Sequence, residues 1–366
     1  MKVLSLFSGI GAFEKALERK CIDFELVNYC EFDKYASKSY SLIHNVPEVM
    51  NLGDITKVKI DELEPYSADL ITYGFPCQDI SNAGKQRGFE HDGQLTRSGL
   101  FFYAAAIIGR IQPKVAICEN VKALVGKKFT KEFETVLSTL EDMGYTNYWQ
   151  VLNAKDYGIP QNRERVFIVS IRNDIDKKYE FPVPIKLELR LKDILDNEAK
   201  GNGFRFSPHV KQNSNCAKTI TTNAGNRMDD NFILDGIDSD EEFFKFDSTN
   251  KLLVKEATKK GYAEAVDGDS INLEQPNSKT RRGRVGRGVA QTLNTAPQQA
   301  VVEPSLRIRK LTPKECFRLM GFDDADIDVL IENGISNTQL YKQAGNSIVV
   351  NVLEAIFENL KDILCY

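Results

Sequence analysis

The sequence has no apolar run long enough to cross a membrane. Its 366 residues contain no stretch of roughly 18 uninterrupted apolar residues, which is the length that a membrane span needs. Residues 1–7 also lack the length and cleavage pattern of a secretory signal peptide. We therefore expect a cytoplasmic protein with two domains, or with one large domain and a substantial insertion.

Cysteine and histidine are too scattered to indicate a disulfide framework or a metal site. The seven cysteines form no Cys-x-x-Cys pair, and the three histidines do not stand at metal-ligand spacing from them. Neither disulfides nor a metal is therefore expected. The odd number of cysteines leaves room for a catalytic thiol.

The small net charge of −4 hides a separation of charge along the chain. Residues 229–247 carry eight carboxylates against one lysine, whereas residues 279–310 carry eight basic side chains against one glutamate. Such a run is most often a solvated face. Here arginines alternate with glycines, which let a ligand approach the backbone closely. This pattern favours contact with a polyanion, with the acidic segment directed away from it.

Strand and helix signals alternate over the first 172 residues. Apolar runs predict strands at 3–7, 24–29, 114–118 and 165–171, another ending at Cys77, and another leading into Asp54. Helical periodicity lies between several of these runs. Strands alternating with helices predict a doubly wound, mostly parallel, Rossmann-like α/β sheet.

The character of the sequence changes near residue 180. The residues beyond it are polar, rich in Asn and Gly, and contain Thr-rich β segments at 217–222 and 290–295. Helical order returns at Thr312, which can form a capping box with Glu315. We predict a first domain of residues 1–178 and 338–366. A smaller, mostly β domain with its hinge is predicted at 179–337.

Three features of the first domain predict a nucleoside cofactor without a pyrophosphate. The stretch Ser8–Gly11 allows close approach of a ligand at the start of a helix. Glu31 follows the second strand, where an acid commonly binds ribose hydroxyls. Asp54 is suited to accept a hydrogen bond from an adenine amino group. Because the third glycine of a dinucleotide fingerprint is absent, S-adenosylmethionine fits better than NAD.

Cys77 is the residue that says most about function. It follows Pro76 at the end of a buried strand, where substrate sites lie in open α/β sheets. Glu119 ends the next strand and should share that edge, where it could act as a general acid. Arg163 and Arg165 fall on one face of a later strand. Taken singly, these residues could also be a small buried thiol, a helix cap and two surface ion pairs.

Taken together, these motifs resemble the DNA (cytosine-5)-methyltransferases in content and in order, over about two-thirds of the chain. The resemblance implies a catalytic domain that binds S-adenosylmethionine and a target-recognition domain in the β region. The matching blocks are Phe7–Gly11, Glu31, Asp54–Ile55, Gly74–Gln78, Glu119–Val121, Gln161–Arg165, Arg309–Cys316, Arg318–Phe322 and Gln343–Ile348.

The resemblance also implies a mechanism. Cys77 would attack carbon 6 of a cytosine flipped out of a short, specific duplex sequence, so that carbon 5 can take the methyl group. Glu119 would bind the exocyclic amine and donate to ring nitrogen 3. Arg163 and Arg165 would hold the base carbonyl and help to keep Cys77 a thiolate.

Cofactor and DNA contacts follow from the same resemblance. DNA contacts are expected in the glycine-rich segment 81–99, which could close over the site, and in the basic part of the second domain. The cofactor set is Phe7, Gly9, Ile10, Gly11, Glu31, Phe32, Asp54, Ile55, Pro76, Asn346 and Ser347. The DNA set is Gln78, Ser81, Lys85, Arg87, Arg97, Arg281, Arg282, Arg284, Arg287 and Thr292.

The expected partner is double-stranded DNA, and the expected cofactor product is S-adenosyl-L-homocysteine. We expect a monomer without membrane contact, in the cytoplasm of a bacterium or a phage-infected host. A restriction endonuclease acting on the same site is a further partner that the resemblance leaves open. Two alternatives are an RNA (tRNA) cytosine-5 methyltransferase and a catalytically silent DNA-binding protein on the same fold. The sequence does not give the recognition site.

Overall fold

A six-stranded sheet organises the first half of the chain. The computed structural model describes residues 1–77, 79–80, 87–196, 203–205, 243–246, 251–275, 278–295, 298–303 and 307–364. Strands in the first half are β1 (Lys2–Leu6), β2 (Glu25–Cys30), β3 (Leu70–Tyr73), β4 (Glu90–His91), β5 (Gln94–Leu95), β6 (Val115–Val121), β7 (Tyr145–Asn153), β8 (Gln161–Asn162) and β9 (Glu164–Arg172). Its helices are α1 (Ala12–Arg19), α2 (Lys34–His44), α3 (Phe101–Ile111) and α4 (Thr130–Asp142).

The strand order of the large sheet is β2-β1-β3-β6-β9-β7. The first four strands pair in parallel, and β9 runs antiparallel between β6 and β7. Successive residues along β1, such as Val3 and Leu4, enter different hydrophobic clusters. Both faces of the sheet are therefore covered, which confirms the doubly wound, mostly parallel arrangement. The carboxyl ends of β1, β3 and β6 meet at one edge.

Two details of the predicted strands were wrong. No strand leads into Asp54. Asn51 forms a single parallel bridge with Tyr29, and Asp54 instead caps a 3-10 turn at Ile55–Lys57. Gly53 lies between them at φ 72°, a left-handed conformation that breaks an extended chain. The sequence pattern also missed β7, the edge strand of the sheet.

Short and mostly antiparallel strands follow in the described residues between 203 and 310, where β16 alone pairs in parallel, with β8. One sheet has the order β10-β18-β17-β14-β15, and a smaller one has the order β11-β12-β13. The segments at 217–222 and 229–242 lie outside the described residues. The strands are β10 (Gly203–Arg205), β11 (Phe244–Phe246), β12 (Leu252–Lys255), β13 (Tyr262–Ala265), β14 (Ser270–Asn272), β15 (Val285–Gly286), β16 (Ala290–Gln291), β17 (Gln299–Glu303) and β18 (Arg307–Lys310).

Four helices complete the described chain. The first begins with the predicted capping box, in which Thr312 and Glu315 each accept a hydrogen bond from the other's backbone amide. They are α5 (Pro313–Leu319), α6 (Asp324–Glu332), α7 (Asn337–Asn346) and α8 (Val350–Leu364).

These helices pack against the first half of the chain. Phe317 and Leu330 belong to the same hydrophobic cluster as Val3, and α8 packs against α1. Lys15 of α1 forms an ion pair with Asp326 of α6. The domain boundaries stay a prediction, and this packing favours a return to the first domain near residue 313 rather than at 338.

Candidate active site

The turn after β3 holds Cys77 in a fixed backbone. Three successive carbonyl oxygens in this turn each accept a hydrogen bond. The Phe75 oxygen accepts from the Asn120 amide at 3.0 Å, and the Pro76 oxygen accepts from the Ser98 hydroxyl at 2.7 Å. The Cys77 oxygen accepts from a backbone amide three residues on, at 3.0 Å. These bonds fasten the turn to β6 and to the residues just before α3, and they fix the position of the backbone that carries the thiol.

Cys77 lines one cavity of about 690 Å³ at the carboxyl edge of the sheet. This cavity brings together all four predicted catalytic residues and all but one of the predicted cofactor residues. The shared lining consists of Phe7, Gly9, Ile10, Glu31, Phe32, Asp54, Ile55, Pro76, Cys77, Glu119, Arg163, Arg165, Asn346 and Ser347.

Glu119 and Arg165 form an ion pair at the wall of the cavity. Arg165 Nε lies 3.0 Å from Glu119 Oε1, with 17% and 13% of the two side chains exposed. Their strands, β6 and β9, are adjacent and antiparallel. Burial raises the pKa of Glu119, and the charges of Arg165 and Arg163 only partly oppose this. A carboxyl group with a raised pKa is suited to hold a proton for donation.

Charged neighbours act on the pKa of the Cys77 thiol in opposite directions. Burial and the neighbouring charge of Glu119 raise this pKa, and Arg165 and Arg163 lower it by less. The two arginines thus act in the expected direction, toward the thiolate, and their role at Cys77 stays a prediction.

Arg163 holds backbone segments together, and its terminal nitrogens are not aimed at an open space. It donates to the carbonyl oxygens of Leu293 at 2.8 Å, Gly345 at 3.0 Å and Ser347 at 2.7 Å. Its side chain is buried, and burial lowers its pKa to about 9. These bonds occupy its Nη atoms, whereas its Nε has no hydrogen-bond partner among the described residues, so the predicted contact with a base carbonyl stays a prediction. Arg163 also links the start of β9, the second half of the chain and the end of α7.

The backbone at this link is closely packed. A Cβ atom at Gly345 would collide with the carbonyl of Asn294, so only glycine allows this approach. Thr292, a predicted DNA contact, donates its hydroxyl to the carbonyl of Asn162 at 2.8 Å. In this structure Thr292 therefore helps to join the two halves of the chain.

The cofactor side of the cavity is built around Glu31. Its Oε2 accepts from the Gly9 amide at 2.9 Å, and its Oε1 accepts from the Asp33 amide at 2.7 Å. Burial raises the pKa of Glu31, against the effect of these bonds. Phe32 lies beside it with 80% of its side chain exposed, and it offers an aromatic face to a base. Gly11 is absent from the lining, because it packs against His44 of α2.

Several residues of the lining were missed from the sequence. Lys342 of α7 forms an ion pair with Asp33, which caps α2, and both line the cavity. Gln343 donates to the Tyr35 carbonyl at 3.1 Å. The signal was present for Gln343, which stands inside the block 343–348. Nothing in the sequence shows that Asp33 and Lys342 meet, because they are separated by about 300 residues.

The predicted DNA contacts near Cys77 are partly described. Arg97 is exposed and lines the cavity. Arg87 places its Nε 3.2 Å from the buried carboxylate of Asp79, so this arginine has a partner within the protein. Gln78, Ser81 and Lys85 lie outside the described residues.

Comparison with known proteins identifies the chain. Residues 1–362 match the family described as C-5 cytosine-specific DNA methylase. The chain belongs to this family. It is 33% identical to the orphan methyltransferase M.SPRI of Bacillus phage SPR, with 98% of this chain and 97% of that protein covered. It is 31% identical to the type II methyltransferase M.HhaI of Haemophilus parahaemolyticus, with 98% and 94% covered.

Solved structures agree with the fold of this methylase. Spodoptera frugiperda DNMT2 matches with a TM-score of 0.62 at 17% identity, covering 100% of this chain and 99% of that one. The Dnmt2 methyltransferase of S. pombe matches with a TM-score of 0.61 at 18% identity, covering 99% of each chain. In the described part of the methylase, no helix has the length and apolar character of a membrane span. No group of three His, Cys, Asp or Glu residues is placed there to hold a metal ion.

The arginines of the methylase's second half differ from the prediction at one position. Arg284 is 1% exposed and donates to the carbonyl oxygens of residues 272, 274 and 275. Its guanidinium carbon also lies 4.9 Å from the ring centroid of Phe243. Arg284 is therefore a core residue of the β region and was wrongly predicted to contact DNA. Arg282 is exposed, whereas Arg281 and Arg287 pair with Glu274 and Asp269.

Proposed function

We propose that this methylase transfers a methyl group from S-adenosylmethionine to carbon 5 of a flipped-out cytosine in a short duplex sequence. Cys77 forms a covalent bond to carbon 6 during the reaction. One observation carries the proposal. A single cavity is lined by the thiol, the Glu119–Arg165 pair and the glycine-rich loop with Glu31.

The residues of the lining fit the cofactor. Glu31 has oxygens beside the loop amides that can accept from ribose hydroxyls, and Phe32 offers an exposed aromatic face for adenine. Asp54 caps the turn that borders the cavity, and its carboxylate can accept from an amino group. S-adenosylmethionine supplies an electrophilic methyl group when bound. The product expected to leave this site is S-adenosyl-L-homocysteine.

Cys77 makes the weakly nucleophilic carbon 5 reactive. Its thiolate bonds to carbon 6, which places electron density on carbon 5, and loss of the carbon 5 proton later allows the Cys77 sulfur to leave. Glu119 donates its proton to ring nitrogen 3 and accepts from the exocyclic amine. Arg165 orients Glu119 and can reach the base carbonyl, while Arg163 positions the surrounding backbone.

The pKa shifts suggest how substrate could activate the thiol. The charge of Glu119 is one cause of the raised pKa of Cys77. The protonated form of Glu119, which is the form that can donate a hydrogen bond to ring nitrogen 3, carries no such charge, whereas Arg165 and Arg163 still lower the pKa of Cys77. Base binding would therefore promote ionisation of the thiol at the moment it is needed.

The oligomeric state, the location and the partner enzyme are inferred from the cavity and from the relatives. We infer a monomer, because one chain supplies both the thiol and the cofactor loop of the same cavity. The similarity to phage and bacterial methyltransferases supports action in the cytoplasm of a bacterial cell or phage-infected host. Several relatives are named orphan methyltransferases, so a companion endonuclease is not required for the proposal.

The experiment is methyl transfer from labelled S-adenosylmethionine to purified nucleic acids. We expect label in duplex DNA, at cytosines within one short sequence that bisulfite sequencing of treated plasmid would identify. Label in tRNA with none in duplex DNA would overturn the proposal in favour of an RNA enzyme. Absence of transfer to either, with DNA binding intact, would favour a silent binding protein.

A further inference from the structure

The glycine-rich loop at residues 7–11, here called the cofactor loop, has an unusual backbone. Phe7, Gly9 and Gly11 have φ values of 52°, 58° and 82°, and positive φ is costly for a residue such as Phe7. A loop of this kind keeps its shape only if neighbouring groups hold it. Glu31 holds the cavity side through the Gly9 amide.

His44 holds the loop from the side facing away from the cavity. Its Nε2 lies 3.2 Å from the carbonyl oxygen of Ile10, and its Nδ1 lies 3.0 Å from Glu18 Oε1 on α1. Only 3% of the His44 side chain is exposed. A side chain at Gly11 would collide with the imidazole, so this glycine is explained by His44. His44 thus links the loop, α1 and the end of α2.

Both partners of the imidazole are hydrogen-bond acceptors. The Ile10 carbonyl can only accept. The pKa of Glu18 is lowered, because His44 and Lys15 together outweigh the effect of its burial, so its carboxylate also accepts. The imidazole therefore stands between an acceptor on the cofactor loop and an acceptor on α1.

The charged surroundings of His44 come from three helices. On α1, the buried Glu14 interacts electrostatically with the ring, and Glu18 forms an ion pair with Lys15. Tyr40, on the same helix as His44, places its ring centroid 4.7 Å away. Asp326 of α6 reaches this cluster only through Lys15.

We infer that His44 is a positioning residue for the cofactor loop. Its imidazole ties the Ile10 carbonyl to Glu18 of α1, and cofactor affinity depends on this tie. The inference rests on the proposed function, since it takes the ligand of the loop to be S-adenosylmethionine.

The test is calorimetric binding of S-adenosylmethionine to the full chain and to three variants, with steady-state kinetics alongside. His44→Phe keeps a ring but removes both donors, and we expect affinity to fall about tenfold. The KM for the cofactor should rise with little change in kcat. His44→Gln keeps one N–H near the Ile10 carbonyl and should recover most of the loss. Glu62→Gln, at an exposed residue that pairs with Lys59, is the control.

Glu18→Gln gives a second, independent readout. It removes the carboxylate that contacts His44 Nδ1 and leaves the contact of Nε2 with the Ile10 carbonyl in place. We expect the affinity of this variant for S-adenosylmethionine to fall, but by less than that of His44→Phe.

The outcomes separate the two proposals. Equal affinity for the cofactor in wild type, folded His44→Phe and Glu18→Gln would overturn the role of His44. Failure of the wild type itself to bind S-adenosylmethionine would instead overturn the cofactor assignment on which the inference rests.

Discussion

The arginines at the cavity and those of the β region show how differently the same residue type can be used. Arg165 faces the cavity and pairs with Glu119, whereas Arg163 is buried and binds three carbonyl oxygens. In the β region, Arg284 is buried in the same way, and Arg282 is exposed. Each pair thus combines one arginine that builds the fold with one that is available to a ligand.

The comparison teaches that a motif position and a charge run carry different information. Arg163 and Arg165 were predicted from their place before a strand, and both reach the cavity. Arg284 was predicted from a basic run that alternates with glycines. Its guanidinium instead donates to backbone carbonyl oxygens of its own region. A basic run therefore indicates which segment is cationic, but not which side chains face a ligand.

The largest expected effect concerns two cysteines at one edge of the sheet. Cys77 lines the cavity, whereas Cys118 on β6 is 1% exposed and packs in the core. Cys77→Ala should abolish methyl transfer, because Cys30, the other thiol of the cavity lining, donates to the Gly53 carbonyl on the cofactor side and burial raises its pKa to about 12. Cys118→Ala should keep activity and lose about 1 kcal/mol of stability. Radiolabel transfer and urea unfolding measure the two effects, and equal activity of the two variants would contradict the assignment.

The next effect distinguishes the two arginines of the β region. Arg284→Met removes a donor from three carbonyl oxygens, of which that of Gln275 keeps the Ser278 amide, and we expect a loss of about 3 kcal/mol in the free energy of unfolding. Arg282→Met should change stability by less than about 0.5 kcal/mol. It should instead reduce the slope of log affinity for DNA against log salt by about 1, if Arg282 contacts a phosphate. A normal melting curve for Arg284→Met would show that its contacts do not support the fold.

A smaller effect tests the electrostatics at Cys77. Glu119→Gln removes a charge that raises the pKa of the thiol, so the pKa should fall and more thiolate should be present at a given pH. Alkylation of Cys77 in the free protein should therefore be several-fold faster, while methyl transfer is about 100-fold slower for want of the general acid.

The control for this experiment is Glu164→Gln, whose carboxylate pairs with Lys122 and does not line the cavity. Its alkylation rate should match that of the wild type. Slower alkylation of Glu119→Gln than of wild type would mean that Glu119 does not act on Cys77 as an unfavourable charge.

Much of the site could be predicted because its residues sit at strand ends. Parallel strands bring their carboxyl ends to one edge of the sheet, so the sequence pattern alone predicts that Gly9, Cys77 and Glu119 lie close together. Asp54 was also expected there, although the strand predicted before it does not exist, because the apolar residues near it form turns around Gly53.

What could not be predicted depends on contacts between distant residues. Gly11 matched a cofactor motif, but its neighbour is His44, which lies 33 positions further along the chain. The burial of Arg284 depends on Phe243 and on the carbonyls of 272–275, and a local charge pattern contains neither. The raised pKa of Cys77 likewise follows from burial, which the sequence does not show.

The most direct test of the mechanism is covalent trapping on duplex DNA that contains 5-fluorocytosine at the methylation site. Fluorine cannot leave as the carbon 5 proton does, so the bond between Cys77 and carbon 6 should persist after methyl transfer. In the presence of S-adenosylmethionine we expect a denaturant-resistant complex, with the cross-linked peptide containing Cys77, and none with Cys77→Ala. An active enzyme that gives no such complex, or one cross-linked through another residue, would contradict the mechanism.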